Sequence, residues 1–569
     1  MEIIIVGTVI LIFTVLNWLP FIAGTLKTPS GSVFLGTMHW PGDYFSYLSQ
    51  FAQGSMNWFY SYDLYTSDFH QKTLVGWVNV FTGRLLYLLG FDHQFSYQFS
   101  IIIFTITFLG VSYLLIRKIF NENKMKRMIA FFLFVSSNAF PKLVFENGYL
   151  SFSYYTYWFN MGEPFNRLAG VPHHLLGRTV ISLFLLLSII WWESKEKNHY
   201  GIIKGLIFPL LGFILASIDP VHWGLLVMIV FFVPLIYLFF RKERITSQIL
   251  LLFTPSIFFF LGGLPMALYL KKILSVLPYS QLANWEKTQT LSINVFDYIL
   301  GNGPVMVLAV AGLLLYLKES LKKMSSRVLR IGGRGGPVGF RYVRTGLLLR
   351  QLADRNDKVL LSPERLLRIL VLVFPLLTIG LFFSPIPKAV SIVNARFLPA
   401  TTTLFFAVLA TEAISQFRKA AAIVIMAIVV TVFIPCYISQ IQNRLTVDTR
   451  NAFYYISKND YRTLKEAQKI SGIDDAFLVI WPFNSLFPGI SGRRVYEGHS
   501  LATTDYPRKE LETRNFFWGD WNKDKMKEFL LKSKIDYVLT YRWTKNINEI
   551  DVLRKVYGDQ SLAIYKVNK

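Results

Sequence analysis

The chain has 569 residues, of which 53% are hydrophobic and 16% aromatic, and it carries a formal net charge of +24. This composition excludes an ordinary soluble globular protein, because apolar stretches near membrane-spanning length recur along the sequence. The single cysteine, Cys436, excludes an internal disulfide and any metal site built from several cysteines.

The apolar runs predict an α-helical polytopic membrane protein with about eleven transmembrane helices. Helices are favoured over strands because backbone polar groups in lipid must be bonded within the segment. The first run has almost no positive residues before it and no convincing cleavage site, so we expect an uncleaved helix. The runs cover residues 3–24, 99–116, 128–145, 176–192, 202–218, 221–240, 246–269, 303–317, 366–383, 397–411 and 420–438.

The distribution of Lys and Arg predicts the orientation of these helices. With a cytoplasmic N-terminus, the inner loops hold 26 Lys and Arg residues, whereas the outer loops hold 10 in about twice the length. The positive-inside rule favours this arrangement, and it explains the net charge without a nucleic-acid partner. We therefore expect a multi-pass protein of the cell membrane. An odd number of helices places its C-terminal segment outside the cytoplasm.

Three segments interrupt the membrane part, residues 1–440, or follow it. The outer loop 25–98 is rich in aromatic residues, and its amphipathic pieces at 44–60 and 72–90 are typical of helices at the membrane surface. The inner loop 318–368 is basic and contains a Gly/Arg-rich stretch, which we interpret as a connector on anionic lipid.

The tail, residues 441–569, predicts a small extracytoplasmic α/β domain. Strands and helices alternate in it, and a segment of this length can bury a core of its own. The predicted strands are 476–481, 535–540 and 561–566, and the predicted helices are 461–470, 523–532 and one near 547–556.

Asp43 is the first candidate for chemistry. The preceding Pro41-Gly42 predicts a turn that presents the carboxylate at the outer end of the first helix. An aspartate there can act as general base toward a sugar hydroxyl, or it can be an ordinary turn or N-cap residue. Tyr44 and Tyr47 follow at helical spacing, as expected for a helix on the membrane surface.

Other outer loops contain further polar candidates. Two arginines and two histidines of the second loop could contact a phosphate or form a structural turn. A metal is a third reading, but adjacent histidines rarely reach one ion. Asp219 and His222 lie in a very short connection next to the membrane, where polar residues are costly unless exposed or paired, so they could belong to the site or to an exposed turn. The polar tail loop around His499 could bind a sugar or phosphate, or it could be structural. The candidates are Arg167, His173, His174 and Arg178, the flanking Glu146 and Glu163, then Asp219, His222 and, in the tail, His499.

Arg396 lies at the outer start of the tenth run, in Asn394-Ala-Arg396-Phe397-Leu-Pro399. An arginine at the hydrocarbon boundary needs an anionic partner, and a phosphate accepts two hydrogen bonds from a guanidinium. The partner could be a substrate phosphate or a lipid headgroup.

A first helix, a large outer loop opening with Asp43, about ten further spans and an outer tail together resemble the GT-C glycosyltransferase superfamily. The segment around Arg396 is similar to an Arg-Tyr/Phe-x-x-Pro pattern of that superfamily. The resemblance implies sugar transfer from a polyprenyl-phosphate donor, with Asp43 as catalytic base and Arg396 facing the donor phosphate. The Trp-Trp-Asp and Asp-Glu motifs of two subgroups are missing, so a Mg²⁺ or Mn²⁺ ion and the acceptor (glycan, lipid or protein) stay open.

The sequence thus predicts an inverting membrane glycosyltransferase in which Asp43 is the base. Arg396, with Arg167, His173, His174 and Arg178, would hold the donor phosphate. Two other classes stay open: a transporter or flippase of a lipid-linked glycan, and a non-catalytic scaffold. A transporter predicts internal repeats and charges within the spans, whereas the charges of this chain cluster at the ends of the predicted spans.

Overall fold

The computed structural model describes residues 1–146, 149–194, 205–241, 250–332 and 363–569. The Gly/Arg-rich stretch of the predicted inner loop lies outside these residues. In chain order, the elements up to Leu445 are α1 (Glu2–Leu26), β1 (Ser32–Phe34), α2 (Pro41–Gln53), α3 (Trp77–Leu88), α4 (His93–Ile119), α5 (Lys124–Ser136), β2 (Pro141–Glu146), β3 (Tyr149–Tyr154), α6 (Pro164–Leu168), α7 (Pro172–Glu193), α8 (Ile207–Ile218), α9 (Pro220–Arg241), α10 (Thr254–Ile273), α11 (Tyr279–Lys287), α12 (Val295–Gly332), α13 (Pro363–Phe383), α14 (Ile386–Ala389), α15 (Ala400–Ile414) and α16 (Lys419–Leu445).

Among the described residues, eight helices are long and apolar enough to cross a membrane, which confirms the predicted polytopic helical class. Two apolar helices, α8 and α15, are shorter than a full span. The helix α15 is buried along nearly its whole length, so it is surrounded by protein rather than exposed to lipid. The eight long helices are α1, α4, α7, α9, α10 with the turn before it, α12, α13 and α16.

The predicted span 128–145 is wrong in its second half. The helix α5 ends at Ser136, and β2 and β3 follow as an antiparallel hairpin in which Phe145 pairs with Leu150. Asn147-Gly148 lies between the two strands in the sequence, and this dipeptide between alternating apolar residues is a strong hairpin signal. The apolar run therefore continued past the helix because every second residue of a strand is apolar.

The helix α2 is held by protein. Its residues Tyr44, Phe45 and Leu48 are buried, and α2 packs against α3, α4 and the C-terminal domain. The sequence predicted that the apolar face of this helix lies on the membrane surface. In the structure that face packs against other helices of the chain.

The C-terminal domain follows α16. Its elements are β4 (Tyr455–Ser457), α17 (Lys458–Ile470), β5 (Ala476–Val479), α18 (Phe483–Ser491), β6 (Arg494–Val495), α19 (Tyr506–Trp518), α20 (Lys523–Lys532), β7 (Tyr537–Tyr541), β8 (Leu553–Gly558) and β9 (Leu562–Val567). Five strands form one sheet in the order β6-β5-β7-β9-β8, with β5 parallel to β6 and β7 and the other pairs antiparallel. The predicted helix near 547–556 is wrong, because a single turn at Ile547–Glu549 leads into β8.

Two contacts join this domain to the loop at residues 25–98. The strand β4 pairs with β1, so the loop and the tail share a small sheet. The helix α18 lies against α2, and Gly489 permits the close approach, because a Cβ at this position would lie 2.9 Å from the ring of Phe45. The C-terminal domain is therefore docked on the loop that carries Asp43.

Candidate functional site

Asp43 lies in the first turn of α2. Pro41 starts the helix, and a residue that precedes proline avoids the right-handed helical region. Trp40 adopts φ 50°, outside both that region and the extended region usual before proline; this left-handed conformation is uncommon for a bulky residue, and Trp40 is 78% exposed. The chain enters the helix sharply, and the Asp43 carboxylate remains accessible to a substrate.

His499 of the C-terminal domain lies beside Asp43. Its Nε2 faces Gly42, since a Cβ on that glycine would be 3.3 Å away. The main-chain N–H of Leu501 donates to His499 Nδ1 at 3.2 Å, so the neutral ring carries its proton on Nε2. Desolvation raises the pKa of Asp43, while the charge of His499 opposes that rise. Desolvation also lowers the pKa of His499.

Tyr47 is influenced by the charges of both Asp43 and Arg396. It lies one helical turn after Asp43 on α2 and interacts electrostatically with Asp43, Arg396 and Glu286. Burial, followed by the charge of Asp43, raises the pKa of its hydroxyl, so Tyr47 stays neutral and can donate a hydrogen bond. Its ring also meets His173 edge-on at 4.6 Å between centroids.

Arg396 is held between two carboxylates. Its Nε donates to Glu286 Oε1 at 2.6 Å, and its Nη1 lies 3.8 Å from Asp219 Oδ2. The guanidinium also lies over the ring of Phe159, 5.3 Å from the centroid. The side chain is 25% exposed, so it can be reached from outside. The two carboxylates hold the pKa of Arg396 above its usual value, despite its burial.

Asp219 and His222 form a pair in the turn between α8 and α9. His222 Nδ1 lies 2.8 Å from Asp219 Oδ2, and the main-chain N–H of His222 donates to Asp219 Oδ1 at 3.0 Å. Both side chains line a cleft together with Arg396. The remaining wall of this cleft is formed by Phe159, Met161, His174, Gly177, Arg178, Ile218, Ala395 and Leu398.

His173 and His174 are adjacent rings, with centroids 4.5 Å apart. His174 lines the cleft, and Asn79 Nδ2 lies 3.3 Å from His173 Nδ1. Both histidines interact electrostatically with Arg396 and Asp219. The fold therefore brings the predicted histidines, Asp219, His222 and Arg396 to one place.

The two other arginines predicted for the phosphate have structural partners. Arg167 is 1% exposed, and its guanidinium donates to four carbonyls, those of Met161, Gly162, Val135 and Ser137. Arg178 Nη1 donates to two carbonyls of α6. Arg167 is therefore not brought to the cleft, whereas Arg178 contributes to its wall.

Glu163 is not among the residues that line this cleft. Glu163 is buried at the start of α6, where it accepts hydrogen bonds from Thr156 and Asn160. Burial raises the pKa of Glu163 to about 7. Glu146 is the last residue of β2, and its side chain lies outside the described part of the structure.

The described residues contain no cluster of three or more His, Cys, Asp or Glu side chains that could hold a metal ion. The Mg²⁺ or Mn²⁺ ion that the sequence left open would need several oxygen ligands, so it stays an expectation.

Glu286 is a site residue that the sequence did not nominate. It belongs to α11, in the outer connection 270–302, and it makes the shortest contact to Arg396. The signal available was an acidic residue in an outer connection beside Trp285. Its pairing with Arg396 depends on a contact across 110 positions, which local sequence does not indicate.

No protein-family model and no curated protein matches the sequence. Solved structures with a similar fold include the oligosaccharyltransferase AglB from Archaeoglobus fulgidus, with an inhibitory peptide and a dolichol-phosphate (12% identity, 94% of this chain, 69% of that chain, TM-score 0.48). The arabinofuranosyltransferase AftD from Mycobacteria also matches (13% identity, 99% of this chain, 40% of that chain, TM-score 0.48). The chain thus spans about two fifths of AftD.

A further match is ArnT from Cupriavidus metallidurans bound to undecaprenyl phosphate (10% identity, 99% of this chain, 97% of that chain, TM-score 0.37). The matches include sugar transferases.

Proposed function

We propose that this chain is a membrane glycosyltransferase that transfers a sugar from a polyprenyl-phosphate donor to a hydroxyl acceptor at the outer face of the cell membrane. The observation that carries the proposal is the position of Tyr47, which interacts with both Asp43 and Arg396. A base and a phosphate-binding cation on opposite sides of one site are what displacement at an anomeric carbon requires.

Asp43 supplies the base. Its accessible carboxylate lies beside the exposed Trp40, where an acceptor sugar, lipid or peptide can approach. The desolvation that raises its pKa strengthens it as a proton acceptor. Neutral Tyr47 can orient the acceptor hydroxyl, and the charge of His499 acts against the rise of the carboxylate pKa.

Arg396 supplies the phosphate contact. In the structure its guanidinium is paired with the partly exposed Glu286, which a donor phosphate can replace. A phosphate accepts two parallel hydrogen bonds from a guanidinium. Replacing Glu286 by the donor phosphate therefore fixes the orientation of the phosphate and also pairs its negative charge. Asp219 and Phe159 continue to hold the arginine from behind while Glu286 moves away.

The test is transfer from a labelled polyprenyl-phosphate sugar in membranes that contain the chain. Asp43→Asn keeps the shape of the side chain and removes the base, so transfer should fall about a hundredfold or more. Asp92→Asn is the matched control, because Asp92 caps α4 through a hydrogen bond from Phe95 and asparagine caps a helix equally well. Full transfer by Asp43→Asn would remove Asp43 from the catalytic role, and transfer lost equally in both variants would show only a damaged loop.

A further inference from the structure

The Asp219–His222 pair leaves one nitrogen of the cleft without a partner. His222 contacts Asp219 twice. Its main-chain N–H donates to Oδ1 at 3.0 Å, and its ring Nδ1 lies 2.8 Å from Oδ2. They fix the ring, with the Nδ1 proton directed at the carboxylate. His222 Nε2 is buried, finds no hydrogen-bond partner in the described part of the chain, and belongs to a ring that lines the cleft. A buried polar atom without a partner needs an explanation, and a ligand supplies one.

The charges already present in the cleft indicate what that ligand requires. Arg396 is engaged by two carboxylates, Glu286 and Asp219, so its positive charge is largely balanced before a donor enters. A phosphate that gains charge during the reaction needs a second hydrogen-bond donor. His222 Nε2 is a buried nitrogen without a partner among the described residues, and its ring lines the same cleft as Arg396.

We propose that protonated His222 donates from Nε2 to the oxygen of the departing polyprenyl phosphate; this inference rests on the proposed function. In the transfer, the bond between the anomeric carbon and the phosphate oxygen breaks, and its electron pair stays on that oxygen. The acceptor oxygen bonds to the anomeric carbon, and its proton passes to Asp43. The phosphate changes from a diester with one negative charge to a monoester with close to two.

The proton on Nε2 then lies against the oxygen on which the new charge develops. This contact is weak in the donor complex and strong in the transition state, which is the kind of interaction that raises the rate of the chemical step. Asp219 stabilises the imidazolium through Nδ1, as a carboxylate does for a catalytic histidine. His222 is thus the acid side of the site and Asp43 the base side.

Two conservative substitutions separate this role from a structural one. The amide of asparagine reaches the position of His Nδ1, so His222→Asn keeps the contact to Asp219 and leaves the cleft without a donor. The amide of glutamine reaches the position of Nε2, so His222→Gln keeps the donor and gives up the contact to Asp219. The control is His39→Asn, an exposed histidine of the first outer loop.

The experiment measures binding of farnesyl phosphate, a short prenyl monoester, to the purified full chain by calorimetry, with thermal unfolding recorded for each variant. His222→Asn should weaken binding about tenfold or more, as expected for a lost hydrogen bond to a charged group. His222→Gln and His39→Asn should stay close to wild type.

If asparagine preserves binding and glutamine loses it, His222 only supports Asp219 and the inference is wrong. Unchanged binding in both His222 variants overturns it as well. Failure of the wild-type chain to bind farnesyl phosphate better than farnesol is a separate result, because it contradicts the proposed function itself.

Discussion

Thr503 offers a direct test of how the C-terminal domain supports the site. Its side chain is fully buried, and its hydroxyl donates to the carbonyl of Tyr65 at 2.6 Å. The same oxygen accepts from the main-chain N–H groups of Gly498 at 3.1 Å and His499 at 3.3 Å. One hydroxyl therefore joins the tail loop that carries His499 to the loop that carries Asp43.

Valine at position 503 has nearly the same shape but places a methyl group against these three main-chain groups. Each buried group left unpaired costs about 1–3 kcal/mol, and the long third contact contributes least. We expect Thr503→Val to destabilise the docked arrangement by about 2–4 kcal/mol. At 1.4 kcal/mol for each factor of ten, the undocked population should rise about 30- to 700-fold.

The assay combines limited proteolysis of the purified chain with sugar transfer in membranes. Thr503→Val should be cleaved faster within the loops around Tyr65 and His499 and should transfer more slowly, because Asp43 loses the neighbouring imidazole. Thr503→Ser keeps the hydroxyl and serves as the control, with transfer near that of wild type. Wild-type protease resistance and transfer in Thr503→Val would refute the reasoning, since other contacts would then hold the domain in place.

Three other predictions concern the Arg396 phosphate contact, a buried carboxylate and the orientation of the tail. Arg396→Lys keeps the charge but not the paired geometry, so KM for the donor should rise about tenfold in a transfer assay, and more in Arg396→Gln; equal KM in both would contradict a phosphate contact. Burial raises the pKa of Glu497 from its usual 4.5 to about 7, so the protonated side chain stabilises the fold at low pH. That stability is lost as the pH rises from about 4.5 through 7, by up to about 3 kcal/mol in all. Glu497→Gln should therefore show a smaller fall in thermal midpoint between pH 5 and pH 8 than wild type, and an equal fall would refute the assignment. In a Cys436→Ala background, Ser500→Cys should react with an impermeant maleimide in intact cells; labelling only after lysis would reverse the predicted orientation.

Much of the membrane part follows from hydropathy, because a long lipid-facing helix is apolar over its whole length. The helix α5 shows where this reasoning ends. Its apolar run continues into a hairpin, and only the period of the apolar residues and the Asn147-Gly148 dipeptide distinguish the two. The region near 547–556 shows a similar ambiguity. Its charged residues Arg554 and Lys555 occupy exposed positions of a strand, and they would be equally exposed on a surface helix.

The candidate site could be predicted less completely than the fold. Asp43 and Arg396 stand out because a charged residue at the edge of a membrane span is costly unless it is exposed or paired. Arg167 stands out for the same reason, yet it bonds main-chain carbonyls, and no local pattern separates these two uses of a guanidinium. Glu286 could not be paired with Arg396 in advance, because the contact depends on how α11 folds back over the outer ends of other helices.

The small sheet of β1 and β4 has a consequence for synthesis of the chain. The loop that carries Asp43 is completed by strands and loops from the tail, and the contact between Tyr65 and Thr503 joins positions 438 apart. A ribosome-bound chain with all its membrane helices inserted still has an unfinished site. The surroundings of Asp43 can therefore be completed only after the last domain has been made and has folded against the loop.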